Sequence, residues 1–206
     1  MRNAVFLFLI VLVSCQDKVK QQRNSGAIFG TTYSIIYDST RNYQSEFDLI
    51  FRDINQSMST YIPNSIISKV NSNETTKIDS QFKTVFQTSK LIHKTTNGRF
   101  DPTIGAVVNA WDFGPEGKVE QLDSLKIKAL MQSVGLDKVS INGLNINKPE
   151  ATKIDFNAIA KGYGVDRIAN FLKRSGVDNF LVEIGGEIIC GGINSIKTAP
   201  WKIGVQ

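Results

Sequence analysis

The chain is poor in the residues that build metal and redox sites. Its 206 residues include two cysteines, Cys15 and Cys190, and a single histidine, His93. No CxxC or CxxxH spacing occurs, which argues against a structural zinc site. Cys190 therefore reads as a lone thiol serving as a small buried hydrophobe. Neither GxGxxG nor GxxxxGK[ST] is present, so the generic nucleotide-fold motifs do not apply. Internal repeats and low-complexity blocks are lacking too. Lysine and arginine are scattered singly among acids, with no basic stripe, so the net charge of +5 describes a solvated surface and speaks against nucleic-acid binding. The one long apolar run, Ala4 to Val13, is too short to span a bilayer.

What is present is the composition of an ordinary globular protein, 41% apolar and 21% charged, enough for one good core and at most two small domains. The apolar run follows Arg2 and ends at Ser14-Cys15-Gln16, the layout of a secretory signal over residues 1–14. Leu12-Val13-Ser14-Cys15 also fits the bacterial lipobox, in which Cys15 becomes the lipidated N-terminus. An ordinary signal peptide and a buried N-terminal strand are the alternatives. The lipobox reading expects a protein tethered to the membrane surface, with residues 15–26 as a polar linker and residues 27–206 as the domain.

Within that domain, Ala27 to Tyr37 is rich in β-branched and aromatic residues and reads as a strand. Phe47, Ile50, Phe51, Ile54 and Met58 share one helical face, predicting a helix over Asn42–Met58. The same periodicity predicts helices over Ser80–Thr96, Leu122–Val134 and Ala158–Ser175, the last closed by Gly176. Asn142-Gly143 predicts the tight turn of a hairpin over Lys138–Asn147. Asn179–Ile184 reads as a strand ending at Gly185-Gly186, and Trp201–Gln206 as the start of another. A chain finishing inside an expected strand reads as truncated.

Four segments carry the chemistry. Phe29-Gly30-Thr31-Thr32-Tyr33 places a glycine where a ligand could approach a strand closely, unless it is a plain edge strand. Met58 to Ser65 offers hydroxyls and Tyr61, whose ring either stacks on a planar ligand or packs on the core. In Gly98 to Pro115, Asp101-Pro102 suits the start of a helix. Trp111 and Phe113 follow in a Gly/Pro-bounded loop, where aromatics are either partly buried or covered by something else. Asp155 to Asp166 joins a strand to a helix N-terminus, where free N–H groups favour anionic oxygens. There Lys161 could neutralise a phosphate, and Asp155 either caps the helix or binds a ligand hydroxyl or base. Asp166 and Arg167 read as ordinary ion-pair residues, and His93 as a packed structural histidine.

These segments, in this order and together with Val182 to Glu187 and Pro200 to Val205, resemble the ApbE family of FAD:protein FMN transferases. The resemblance covers nearly everything from Ile28 to Gln206. It implies an α+β fold of T-fold-like sheets packed with helices, with FAD as substrate and Mg²⁺ as cofactor. It also implies FAD contacts at Phe29, where the family usually has methionine, and at Tyr61, Ala110, Trp111, Asp112, Phe113, Asp155 and Lys161. Ala158 matches the position that lends magnesium a backbone carbonyl. The remaining magnesium ligands and the motif histidine are expected beyond residue 206, so no general base is assigned. The activity implied is transfer of FMN from FAD to a Thr or Ser hydroxyl of an acceptor flavoprotein subunit, with release of AMP. The alternatives are a Mg²⁺-dependent FAD pyrophosphatase and a periplasmic flavin-binding lipoprotein. The location implied is the bacterial cell envelope, lipid-anchored and facing the periplasm or the exterior.

Overall fold

The computed structural model describes residues 19–204. The segment expected to be a signal, Cys15 and the last two residues lie outside that range. Among the described residues, six α-helices accompany a four-stranded antiparallel sheet of order β1-β2-β5-β6 and a small separate hairpin, β3-β4. The strands of the main sheet are β1 (Lys20–Ile28), β2 (Thr31–Ser39), β5 (Phe180–Ile184) and β6 (Glu187–Gly191). Along β2 and β5 alternate residues are buried, the period-two pattern of strands with one face on a core.

That face is covered by α1 (Gln44–Met58) and α6 (Asn157–Arg174). Helix α1 buries the five apolar residues that predicted it, and α6 buries Val165, Ile168, Ala169 and Leu172. A second layer is α3 (Ser80–Thr95), whose Asp79 side chain caps the helix by accepting from Phe82 N–H at 2.7 Å. Phe82 meets Phe156 edge-on at 5.0 Å, joining α3 to the segment that opens α6. Tyr37, Phe47, Phe86 and Phe180 complete the fully buried centre. Each such side chain contributes roughly 1.5–3 kcal/mol of burial.

Several expectations need correction. The first strand starts at Lys20, inside the tract read as linker, and turns at Phe29-Gly30 into β2. Strand β1 is an edge strand with only Asn24 buried, so it has no hydrophobic alternation to read. Helix α2 (Ile66–Asn71), capped by Ser65, is under two turns long, and the sequence reading gives it no element. Helix α5 (Ser124–Met131) is shorter than expected and buries no residue. In the small hairpin of β3 (Ser140–Asn142) and β4 (Asn145–Asn147), the two loop residues are Gly143 and Leu144, one position later than the sequence suggested. Asp101 caps no helix, because α4 (Gly105–Ala110) begins after it. Its carboxylate instead accepts from Thr103 N–H, the Thr103 hydroxyl and Leu136 N–H. Strand β6 continues past Gly185-Gly186, whose φ angles of 56° and 91° suit a glycine turn. Cys190 is exposed on that edge strand rather than buried. Residues 201–204 form no strand, and the Trp201 indole N–H donates to Gly191 O at 2.8 Å. Among the described residues neither Asp166 nor Arg167 forms an ion pair; Arg167 donates to Gln81 Oε1 and to the Tyr163 hydroxyl.

Candidate functional site

The β1-β2 turn sets up the first side of the site. Phe29 holds φ of 52° and Gly30 of 73°, the left-handed pair that a two-residue hairpin requires. A phenylalanine there is uncommon, and it is held by packing: its ring meets Phe51 edge-on at 5.7 Å. It also lies over Gly164 of α6, where an added Cβ would come within 3.1 Å of the ring. Phe29 thereby walls a cleft of about 600 Å³, together with Ile54, Met58, Tyr61, Ile62 and Lys161. The walls are mainly apolar and one cation stands among them, the usual chemistry of a small-ligand site.

The start of α6 separates this cleft from a second hollow of about 240 Å³, lined by Thr60, Asn71, Asn109, Glu116, Lys153 and Asp155 among others. Asp155 is fixed from two directions. Its N–H donates to Pro102 O at 2.7 Å, while its carboxylate accepts from Asn157 N–H at 2.6 Å and from the Asn157 side-chain amide at 3.0 Å. Burial pushes this carboxyl above its ordinary value, against the lowering pull of the Asn157 N–H groups. Among the described residues, the buried Thr60 hydroxyl in the same hollow has no hydrogen-bond partner. Next door, the amide of Asn71 both accepts from Ile154 N–H and donates to Ile154 O, each at 2.8 Å, and so clamps the segment that carries Asp155. Asn71 was not singled out from the sequence; only a contact across 83 positions gives it this role.

The open helix N-terminus expected here is largely closed. Asn157 N–H is taken by Asp155, and the Ile159 and Ala160 N–H groups both donate to Phe156 O. Among the described residues this leaves the N–H of Ala158 as the open one of the first turn. An anion at this end of α6 would therefore rely on Lys161 more than on backbone dipoles.

Ala158 itself faces neither hollow. It lines a third one, about 360 Å³, with Thr88, Tyr163, Asp166 and Glu187. Among the described residues, no three His, Cys, Asp or Glu side chains converge on one point. These residues alone therefore do not build a magnesium cage, and Ala158 could supply one carbonyl ligand at most.

Ala110 is buried at the end of α4, whereas Trp111, Asp112 and Phe113 project outward and line none of the three hollows. Tyr61 bridges the two groups: it borders the large cleft and its hydroxyl donates to Phe113 O at 2.9 Å. The structure therefore brings Phe29, Tyr61 and Lys161 together and sets Asp155 behind them. His93 lies elsewhere, its Nδ1 on Phe100 O at 2.8 Å and its ring beside a hollow containing Lys90 and Asp137, in keeping with a packed structural histidine.

An antiparallel sheet backed by helices, with hollows around one helix start, defines an α+β domain. Residues 29–206 match the family model described as the ApbE family, and the chain belongs to that family. It is 34% identical over 210 residues to an FAD:protein FMN transferase of Vibrio cholerae, covering 96% of this chain and 62% of that protein. A transferase of the same name from Haemophilus influenzae is 35% identical over 215 residues, with 95% of this chain and 61% of that protein covered. Among solved structures, the flavin transferase ApbE from Vibrio cholerae superposes with a TM-score of 0.84 at 34% identity, over 91% of this chain and 64% of that one. The apo flavinyl transferase ApbE of Pseudomonas stutzeri gives the same TM-score at 28% identity, over 91% and 63%. The chain thus spans 62% and 61% of the length of these two curated relatives.

Proposed function

We propose that this chain is the flavin-binding part of an FAD:protein FMN transferase, which moves FMN from FAD to a Thr or Ser hydroxyl of an acceptor protein. The observation that carries the reading is the cleft walled by Phe29, Tyr61 and other apolar side chains, with Lys161 among them. Kinship with proteins of that name supports it. In this reading Phe29 and Tyr61 flank a flat ring, Lys161 neutralises phosphate oxygens, and Asp155 accepts from a base or ribose donor in the adjoining hollow.

The reaction is a displacement at phosphorus. The acceptor hydroxyl oxygen bonds to the FMN-side phosphorus, the bond from that phosphorus to the bridging oxygen breaks, and AMP departs with the electron pair. The hydroxyl proton is lost in the same step, and none of the residues described is assigned as its base. Holding the pyrophosphate still and offsetting its charge supplies most of the rate in such a step. Magnesium, when bound, would ease the departure of AMP through Lewis acidity, with the Ala158 carbonyl as one ligand of several. We further place the protein at the bacterial cell envelope, tethered through a lipidated Cys15. This rests on the lipobox pattern in the sequence, and no helix of the described residues is long and apolar enough to cross a membrane.

The test is mass spectrometry of a Thr/Ser acceptor peptide incubated with the protein, FAD and Mg²⁺, with and without EDTA. A metal-dependent mass gain equal to an FMN phosphoester is expected. Release of FMN and AMP with an unmodified peptide would replace the transferase by a pyrophosphatase. Intact FAD throughout would leave a flavin-binding protein.

A further inference from the structure

The two ends of the main sheet carry different things. One bears the cleft, with the Phe29-Gly30 turn, the Gly185-Gly186 turn and Lys161 near the start of α6. At the other end Lys20 faces Ser39, and Phe180 faces both Tyr37 and Gly191, so β1 and β5 start there and β2 and β6 finish there. Strand β2 is nine residues long, which sets the ends about 27 Å apart. Lys20 stands five positions after Cys15, a reach of at most about 18 Å. A surface that holds Cys15 therefore meets this far end before the cleft.

The far end presents a fastened turn with an apolar tip. After β6, Asn194 N–H donates to Ala199 O at 2.9 Å, and Lys197 N–H donates to Asn194 Oδ1 at 3.1 Å. The Ser195 hydroxyl donates to Asp38 Oδ1 at 2.8 Å, and Ile193 N–H to Asn179 Oδ1 at 2.9 Å, which ties the turn to β2 and to the residue before β5. Thr198 takes φ of 47°, a conformation that β-branched residues adopt only when their surroundings impose it. Yet Ile196 is 74% exposed at the tip, with Ile193 and Ile203 also open to water. An exposed apolar cluster held in place marks a contact surface.

The charges around it are mostly of one sign. Arg41 is paired with Glu46. Lys20, Lys173, Arg174, Lys197 and Lys202 remain, all exposed, against Asp38 and Asp178. Asp38 is already held by Ser195 and by the Asn179 amide. Arg23 and Asp48, further along β1 and α1, offset one another. Five cations less two acids leave this end positive by three. Apolar side chains among lysines and arginine complement an anionic bilayer surface.

We propose that this end of the sheet is a membrane-apposed face, with Ile196 entering the headgroup boundary of an anionic bilayer and the surrounding cations lying against its phosphates. The proposal rests on the reading of Cys15 as the lipidated residue, since a tether fixes proximity and a second contact fixes orientation. In that orientation the cleft opens away from the bilayer.

The face is tested apart from the tether, using the chain from residue 15 with Cys15→Ser, which keeps every described residue and cannot be acylated. It is sedimented with phosphatidylcholine vesicles, with and without phosphatidylglycerol. Binding at least about fivefold tighter to the anionic vesicles is expected, a margin that narrows with added salt. Ile196→Ser and Lys197→Gln, both at the exposed tip, should each weaken it about fivefold and leave FAD affinity unchanged. In a Cys190→Ser background, an environment-sensitive dye on Ile196→Cys should shift to the blue on anionic vesicles, and the same dye on Leu125→Cys of α5 should not. Equal binding to the two vesicles, binding to neither, or an unmoved dye at position 196 would each overturn the face. Binding weakened by Lys197→Gln but not by Ile196→Ser would replace the bilayer by a soluble polyanion. Expression of the full chain with Cys15 intact separates the two claims. Acylation without anionic preference removes the face and keeps the tether, whereas anionic preference without acylation does the reverse.

Discussion

Asn71 lies at the end of α2, 83 positions from Ile154, yet its amide partners both peptide groups of that residue at 2.8 Å. Ile154 is fully buried, so Asn71→Ala would strand an N–H and a C=O away from water. Each orphaned group costs about 1–3 kcal/mol, and partial entry of water into the vacated space should bring the sum to about 2–4 kcal/mol. Against a total of roughly 5–15 kcal/mol for a domain, that is a severe loss. With a urea slope of about 2 kcal/mol per molar, the midpoint should fall by about 1–2 M. Urea unfolding followed by circular dichroism measures this directly, with Ser72→Ala, an exposed neighbour, as the control expected within about 0.5 kcal/mol of the parent. FAD affinity should fall as well, since Ile154 precedes Asp155. A midpoint shift under about 0.3 M would refute the clamp, because the two peptide groups would then have found other partners.

Asp155 should make stability depend on pH. Its folded carboxyl keeps the proton to higher pH than the unfolded one, so the parent loses stability as pH rises from the ordinary value of 3.8 through the folded value. Asp155→Asn is therefore expected to unfold at higher temperature than the parent at pH 7 and to match it below about pH 3.8; a constant difference across that range would contradict the burial argument. In the loop after α4, a Cβ on Gly114 would overlap Asn109 Oδ1, so Gly114→Ala must push that side chain aside. Asn109→Ala should relieve it, giving a coupling of about 0.5–2 kcal/mol in a double-mutant cycle, whereas simple additivity would show that the two never meet. Lys161→Met should raise the Kd for FAD by on the order of tenfold and flatten its salt dependence, read by flavin fluorescence at two ionic strengths. An unchanged Kd would move the phosphates away from this cleft.

The helices α1, α3 and α6 were legible because each buries one face and repeats its apolar residues at the helical period. The small hairpin and the end of β5 were legible from glycines that take left-handed φ. Family membership was legible as well, since motif order survives in sequence without any knowledge of contacts. Strands β1 and β6 were not, because both lie at sheet edges and lack the alternation that one buried face imprints. Nor could the sequence divide the candidate residues among hollows. Asn157, Ala158 and Lys161 are near neighbours in the chain, but the 100° step of a helix turns Ala158 toward one hollow and the other two toward another.

Motif spacing determined which residues to consider and where regular elements would form, since both are local properties of the chain. Tertiary structure decided which side chains share a cavity, which N–H groups remain free, and which aromatics face water. Those outcomes depend on contacts such as Asn71 with Ile154 and Tyr61 with Phe113, made between positions that nothing in the local sequence relates.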